Sequence, residues 1–148
     1  MTSLVKFLHL PWGDRKLLVR AAALLLAIRL GLELLPFRIV RRFVLGAAAV
    51  GGTPACVPAE RIAWAVTTAV RLMPGATCLA RALAAESLLR QLGFAPTLHI
   101  GVAKGDDRTL DAHAWVECFG KVVIGEAGVE RYTRLTRTAD SEPGRAAR

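Results

Sequence analysis

The chain is poor in the residues that build stapled or metal-held folds. It carries three cysteines in 148 residues, too few and too scattered for a disulfide scaffold, and an odd number leaves one unpaired. A reducing, cytoplasmic setting is the expectation. Cys56, Cys78, Cys118, His9, His99 and His113 form no CxxC, no HxxxH and no comparable pair, so neither a metal nor a cofactor is expected. Long uncharged apolar runs are missing too. The richest stretch, Leu17 to Leu35, is interrupted by Arg20, Arg29 and Glu33. Its longest charge-free run, Ala21 to Ile28, is far short of the roughly 20 residues that a bilayer core requires. Arg20 also breaks the apolar region that a signal peptide would need. Aromatics are only 6% of the chain, and no zinc-finger spacing occurs. The basic residues sit in Leu/Ala-rich sequence without interleaved stacking aromatics, so no nucleic-acid role is expected.

What is present points to a folded domain. Hydrophobic residues make up 53% and charged ones 22%, which excludes disorder for most of the length. A chain of this size is one domain and buries about two-thirds of its unfolded surface. The net charge of +8 is uneven: residues 1–50 hold eight Lys/Arg against two Asp/Glu, whereas residues 101–148 hold eight of each. The front therefore calls for an acidic partner or an anionic surface. Its long apolar helix with a basic edge packs into a core or, alternatively, makes peripheral membrane contact.

Periodicity divides the chain in two. Asp14 is the expected N-cap of a helix running to about Leu35, where Pro36 stops or kinks it. A second helix covers Phe37 to Val50, ending at Gly51-Gly52 and a Thr53-Pro54 loop. Ile62, Ala65, Val66, Ala69, Val70 and Met73 recur at helical spacing in a third, Pro58 to Met73. Pro74-Gly75 breaks it, and a fourth runs from near Thr77 to Gly93. The period then falls to two. Pro96–Lys104, Ala112–Phe119 and a stretch starting at Lys121 read as strands of a three-strand antiparallel meander. Residues from Thr133 on show little apolar periodicity and read as a frayed tail. The sum is an α+β architecture.

Cys78 falls in the first turn of the fourth helix, where unpaired amides and the helix dipole stabilise negative charge on sulfur. A cysteine in an Ala/Leu-rich helix can equally be a small buried hydrophobe. A nucleophilic cysteine needs an imidazole to take its proton and return it to the leaving group, and His113 is the candidate. A two-residue turn at Phe119-Gly120 would pair Cys118 with Lys121 and place Glu126 opposite His113, with β-carbons about 5 Å apart. A turn one residue later, at Gly120-Lys121, would put Gly128 there instead. With the first turn Glu126 is the acid that orients the ring, and Asp111, about 6.6 Å along the strand, is the second candidate. Glu117 lies about 13 Å away. His99 reads as a surface or structural residue and Cys118 as core.

The stretch ATCLARALAAESLLRQLGFAPTLHIGV followed by DAHAWVECFGKVVIGE resembles the lasso-peptide biosynthesis B proteins in their stand-alone form. The likeness runs from about Pro54 to Leu135. It implies a transglutaminase-like (papain-like) core, with a nucleophile helix packed on a small antiparallel sheet, over residues 54–135. A basic helical region would precede it over 1–53, and a disordered tail would follow over 136–148. It also implies a cysteine peptidase that removes the leader from a ribosomally made precursor peptide, with Cys78 and His113 as the catalytic pair. The family's acid is usually aspartate, and the matching position here is Glu126. The implied partners are the precursor peptide, a separate leader-recognition protein and an ATP-dependent lasso cyclase. The alternatives are a transglutaminase-like acyl transferase and a non-enzymatic scaffold that docks partners through its basic helices.

Overall fold

A computed structural model describes residues 9–48, 57–105 and 109–137. Four helices come first: α1 (Trp12–Leu34), α2 (Phe37–Ala48), α3 (Ala59–Leu72) and α4 (Cys78–Gln91). Strands β1 (Thr97–Lys104), β2 (Leu110–Cys118), β3 (Lys121–Ile124) and β4 (Thr133–Arg137) follow, with a 3₁₀ turn at Val129–Arg131 before the last. The sheet is antiparallel, in the order β3-β2-β1-β4.

The helix ends follow their local chemistry. Leu35 is held extended before Pro36, as steric clash with the proline ring dictates, and α2 begins directly afterwards. Asp14, expected as a cap, instead lies in the first turn of α1 behind Pro11. Its carboxylate takes both Nε and Nη2 of Arg61, the Nε at 2.9 Å, and so ties α1 to α3. At the end of α4 the Gly93 amide bonds the Arg90 carbonyl at 3.1 Å and the Phe94 amide bonds that of Leu89 at 2.9 Å. Gly93 supplies the positive φ of 85° that this closing motif requires.

Helix α4 is the centre of the molecule. From Ala82 to Leu89 every residue is buried, Glu86 and Ser87 included. A helix apolar all round is one that packs all round, and the alanines let neighbours approach closely. Glu86 meets Arg90 at 3.2 Å and Arg41 of α2 at 3.7 Å, which gives the buried charge the partners it needs. The buried apolar residues of all four helices and of β1, β2 and β3 form one continuous cluster. From the sheet it takes Leu98, Ala114, Val116 and Ile124, so the helices cover that face. Outside the core, α1 and α2 expose Trp12, Val19, Leu26, Leu30, Leu34 and Phe43.

Two expectations for the sheet need correction. The segment read as a frayed tail from Thr133 contains β4, which pairs with β1 through Val102–Thr133 and Gly101–Arg134. The tail expected over 136–148 thus yields Thr136 and Arg137 to the sheet. A short polar strand on an edge carries no apolar signature, because its backbone ladder does the binding. The second correction is one of register. The Phe119-Gly120 turn forms, with φ of 53° and 75°, and Cys118 pairs with Lys121. A bulge between Val116 and Glu117 then pairs Val116 with Ile124, so the register extrapolated to Glu126 fails before it reaches His113. Residues 49–56, with Cys56 and the Gly-Gly-Thr-Pro loop, lie outside the described residues, as do 106–108 and 138–148.

Phe119 holds a left-handed conformation that costs a bulky side chain roughly 1–2 kcal/mol. It is 82% exposed, and its edge-to-face contact with Phe94 at 6.0 Å is its visible compensation. Phe119→Asn, the residue type that this turn favours, is expected to raise the thermal midpoint by roughly 2–5 °C. A differential scanning measurement that showed a fall would mean that the Phe94 contact outweighs the strain.

Candidate active site

The nucleophile candidate is presented by the end of α4. Thr77 caps the helix, its hydroxyl accepting from the Ala80 amide at 3.2 Å. The amides of Cys78 and Leu79 precede the first intrahelical bond and have no helical partner. The entry to the helix is held from outside: Arg29 of α1 donates to the Pro74 carbonyl at 3.0 Å, next to Gly75, whose φ of 87° makes the turn. Cys78 is half-buried. Its thiol points at the Ala112 carbonyl, 3.8 Å away, and so lies against the backbone of the residue that precedes His113.

His113 belongs to the other face of β2, with Asp111, Trp115 and Glu117. Its Nε2 lies 2.8 Å from the Gly125 carbonyl oxygen. A carbonyl can only accept, so Nε2 carries the proton, and the neutral ring has its lone pair on Nδ1. Gly125 has a φ of 83°. A Cβ there would lie 2.8 Å from the Ala114 carbonyl oxygen and 2.9 Å from Trp115 Cβ, so only glycine brings this carbonyl so close to β2.

Aromatic rings complete the setting. His113 stacks on Tyr132 at 5.1 Å and on Trp115 at 6.2 Å. The Tyr132 hydroxyl donates to Asp111 Oδ2 at 2.8 Å. That bond, first, and partial burial next, push the phenol above its ordinary range, and the charges of Asp111 and Cys78 add to the effect. Tyr132 lies one residue before the segment read as a tail and inside the expected 54–135 core, and nothing in its local pattern marks it as a site residue. Its one available signal was that it is the only tyrosine in the chain.

The acids are placed differently from expectation. Glu126 is exposed, and its carboxylate makes no hydrogen bond or ion pair among the described residues. Asp111 reaches Tyr132 and not the imidazole. The ring's partner is thus a backbone carbonyl, one residue before the acid expected there. Glu117 organises a neighbouring cluster: it accepts from Trp115 Nε1 at 3.2 Å and Arg134 at 2.7 Å, and meets His99 Nε2 at 3.1 Å. His99 is buried and stacked on Trp115 at 5.5 Å, so it is structural. Cys118 is buried in the core and its thiol is pushed up by burial. Cys78 and Cys118 are the free cysteines among the described residues. There, no group of three His, Cys, Asp or Glu side chains is placed to hold a metal ion, and no helix is long and apolar enough to cross a membrane.

Comparison with protein families finds one described as the transglutaminase-like superfamily, whose model matches residues 22–137. The match takes in most of α1 as well as the sheet. Searches of curated proteins and of solved structures return no match.

The Glu117 cluster has a consequence for acid stability. Burial alone would raise this carboxyl, but the Trp115 indole, His99 and Arg134 together hold it below its usual range. A carboxyl lowered by folding contributes stability that is complete above its unfolded value, about 4.3, and is lost as pH falls through the folded one. Acid unfolding followed by circular dichroism is expected to show this loss below about pH 4, and Glu117→Gln should flatten it. An unchanged slope in the variant would remove Glu117 from the account.

Proposed function

The chain belongs to the transglutaminase-like superfamily, and on that premise we propose that it is a cysteine peptidase that removes the leader from a ribosomally made lasso precursor peptide. The observations that support the reading are a thiol at a helix start, set against the carbonyl of the residue before His113, and an imidazole on that strand whose Nε2 is taken by the Gly125 carbonyl. Cys78 supplies the sulfur, and Nδ1 of His113 is left free to accept its proton.

The chemistry is acyl transfer. The Cys78 proton passes to His113 Nδ1 as the sulfur attacks the carbonyl at the leader–core junction. Negative charge on the carbonyl oxygen is met by the Cys78 amide, which no helical partner occupies. His113 then returns the proton to the departing core amine, leaving a thioester on Cys78. Water, deprotonated by the same nitrogen, releases the leader acid and restores the thiol. The resemblance to the lasso B proteins in the TCLARAL helix start and the AHAWVE strand supports this substrate. A free thiol nucleophile also suits a reducing cytoplasm.

The helical half supports the proposed partners. Two of its acids are matched within it, Asp14 by Arg61 and Glu33 by Arg29. Lys16, Arg38 and Arg42 border the exposed apolar side chains of α1 and α2. Such a face suits an acidic leader-recognition protein that delivers the precursor. The freed core would then pass to the ATP-dependent cyclase.

Mass spectrometry of the cognate precursor, incubated with the protein and its recognition partner, tests the reading. One cleavage is expected, and Cys78→Ala or His113→Ala should each slow it by at least about 10³-fold. Because its carboxylate is exposed, Glu126→Gln should stay within about threefold of wild type, a change below one net hydrogen bond. Near-normal cleavage by either Cys78→Ala or His113→Ala would overturn the assignment. A product joined to an amine, rather than hydrolysed, would move it to acyl transfer.

A further inference from the structure

In a cysteine or serine hydrolase the acid has two tasks: it fixes the imidazole tautomer and it stabilises the imidazolium that forms in the reaction. Here the Gly125 carbonyl performs the first. A neutral carbonyl is a weak answer to the second, and neither Glu126 nor Asp111 touches the ring. Something else must hold the ring in place and favour its charged form.

We propose that Tyr132, latched by Asp111, is the positioning residue for His113, taking the place of a carboxylate bonded directly to the imidazole. The inference rests on the reading of Cys78 and His113 as a catalytic pair. Four observations support it. The phenol ring lies 5.1 Å from the imidazole, inclined at 29°, which places an electron-rich face against the developing cation. Trp115 stacks on the same ring at 20°, so aromatic contacts restrain its rotation.

The latch is geometric as well. Asp111 and His113 share one face of β2, two residues apart, so the 2.8 Å bond from Tyr132 to Asp111 fastens the phenol to the imidazole's own strand. It also brings a carboxylate charge close to the ring without a direct contact. Gly101, the partner of His113 across β1 and β2, leaves the space for this. A Cβ at Gly101 would lie 2.9 Å from both Tyr132 Cβ and Trp115 Cζ3.

The other charges bearing on the phenol are Arg131 beside it and Cys78 at the start of α4. His113 itself meets the Gly125 carbonyl, Trp115 and Tyr132. Beyond Trp115 lie His99, Glu117 and Arg134.

The test needs no substrate. Alkylation of Cys78 by iodoacetamide, read site by site by mass spectrometry across pH 5–9, reports the thiol as His113 sees it. In wild type the pH profile should depend on His113, changing shape in His113→Ala. Tyr132→Phe keeps the ring and loses the latch, and Asp111→Asn loses its acceptor charge. Each should slow alkylation at pH 7 by about three- to tenfold, the equivalent of one net hydrogen bond. The double variant should be no slower than either alone, because both remove the same contact. Tyr132→Leu should cost more than Tyr132→Phe. The single tyrosine also gives a direct check: its alkaline absorbance titration should move to lower pH in Asp111→Asn.

Wild-type alkylation profiles in both Tyr132→Phe and Asp111→Asn would overturn the latch while leaving the catalytic pair standing. A wild-type profile in His113→Ala would overturn the pair, and the latch with it. Circular dichroism of the near-isosteric Tyr132→Phe separates either result from misfolding.

Discussion

A single backbone carbonyl sets the character of the site. The Gly125 oxygen accepts from His113 Nε2 at 2.8 Å, so the ring's basic nitrogen can only be Nδ1. That bond depends on the Val116–Ile124 bulge, which shifts β3 by one residue, and on a glycine at positive φ pressed against Ala114 and Trp115. A side chain at position 125 or a regular ladder would break it. Tautomer, register and sheet packing are therefore one constraint. The rest of the site follows from what that constraint leaves undone, since a carbonyl orients an imidazole without supplying charge.

The two faces of β2 divide the labour. Ala114 and Val116 enter the core under α4, which fixes the strand relative to the helix that carries Cys78. His113, Trp115 and Glu117 form a polar–aromatic layer on the reverse, closed by Tyr132 and Arg134. Burial fixes one side of the strand, and the bonds of Glu117 with Trp115 and Arg134 tie down the other. Helix α4 is buried along most of its length, and Cys78 lies in its half-exposed first turn.

Much of this was legible in the sequence. The Ile62-to-Met73 spacing gave α3, the Pro74-Gly75 break and Thr77 gave the start of α4, and the alternation around His113 gave β2. These signals are local, and the energetics that produce them are local as well. The Phe119-Gly120 turn was only half legible, because Gly120 suits a positive φ and a bulky Phe119 does not. What failed was non-local. A bulge has no composition signature, so the step from a correct turn to a pairing of His113 with Glu126 carried a register error. Strand β4 is short, polar and on an edge, and its place is fixed by β1 rather than by its own pattern. Tyr132, just before that strand, meets Asp111 21 positions away, a contact that no local pattern signals. Asp14 shows a smaller version of the same limit: its type fits a cap, but a partner 47 positions away claims the carboxylate.

The most direct measurement is the protonation of the His113 ring nitrogens by ¹⁵N NMR near neutral pH, assigned against His113→Ala, before and after alkylation of Cys78. The expected result is a proton held on Nε2, bonded to the Gly125 carbonyl, and a Nδ1 resonance that shifts when the Cys78 sulfur is modified. A ring protonated on Nδ1 instead, or a Nδ1 resonance blind to the state of Cys78, would contradict it.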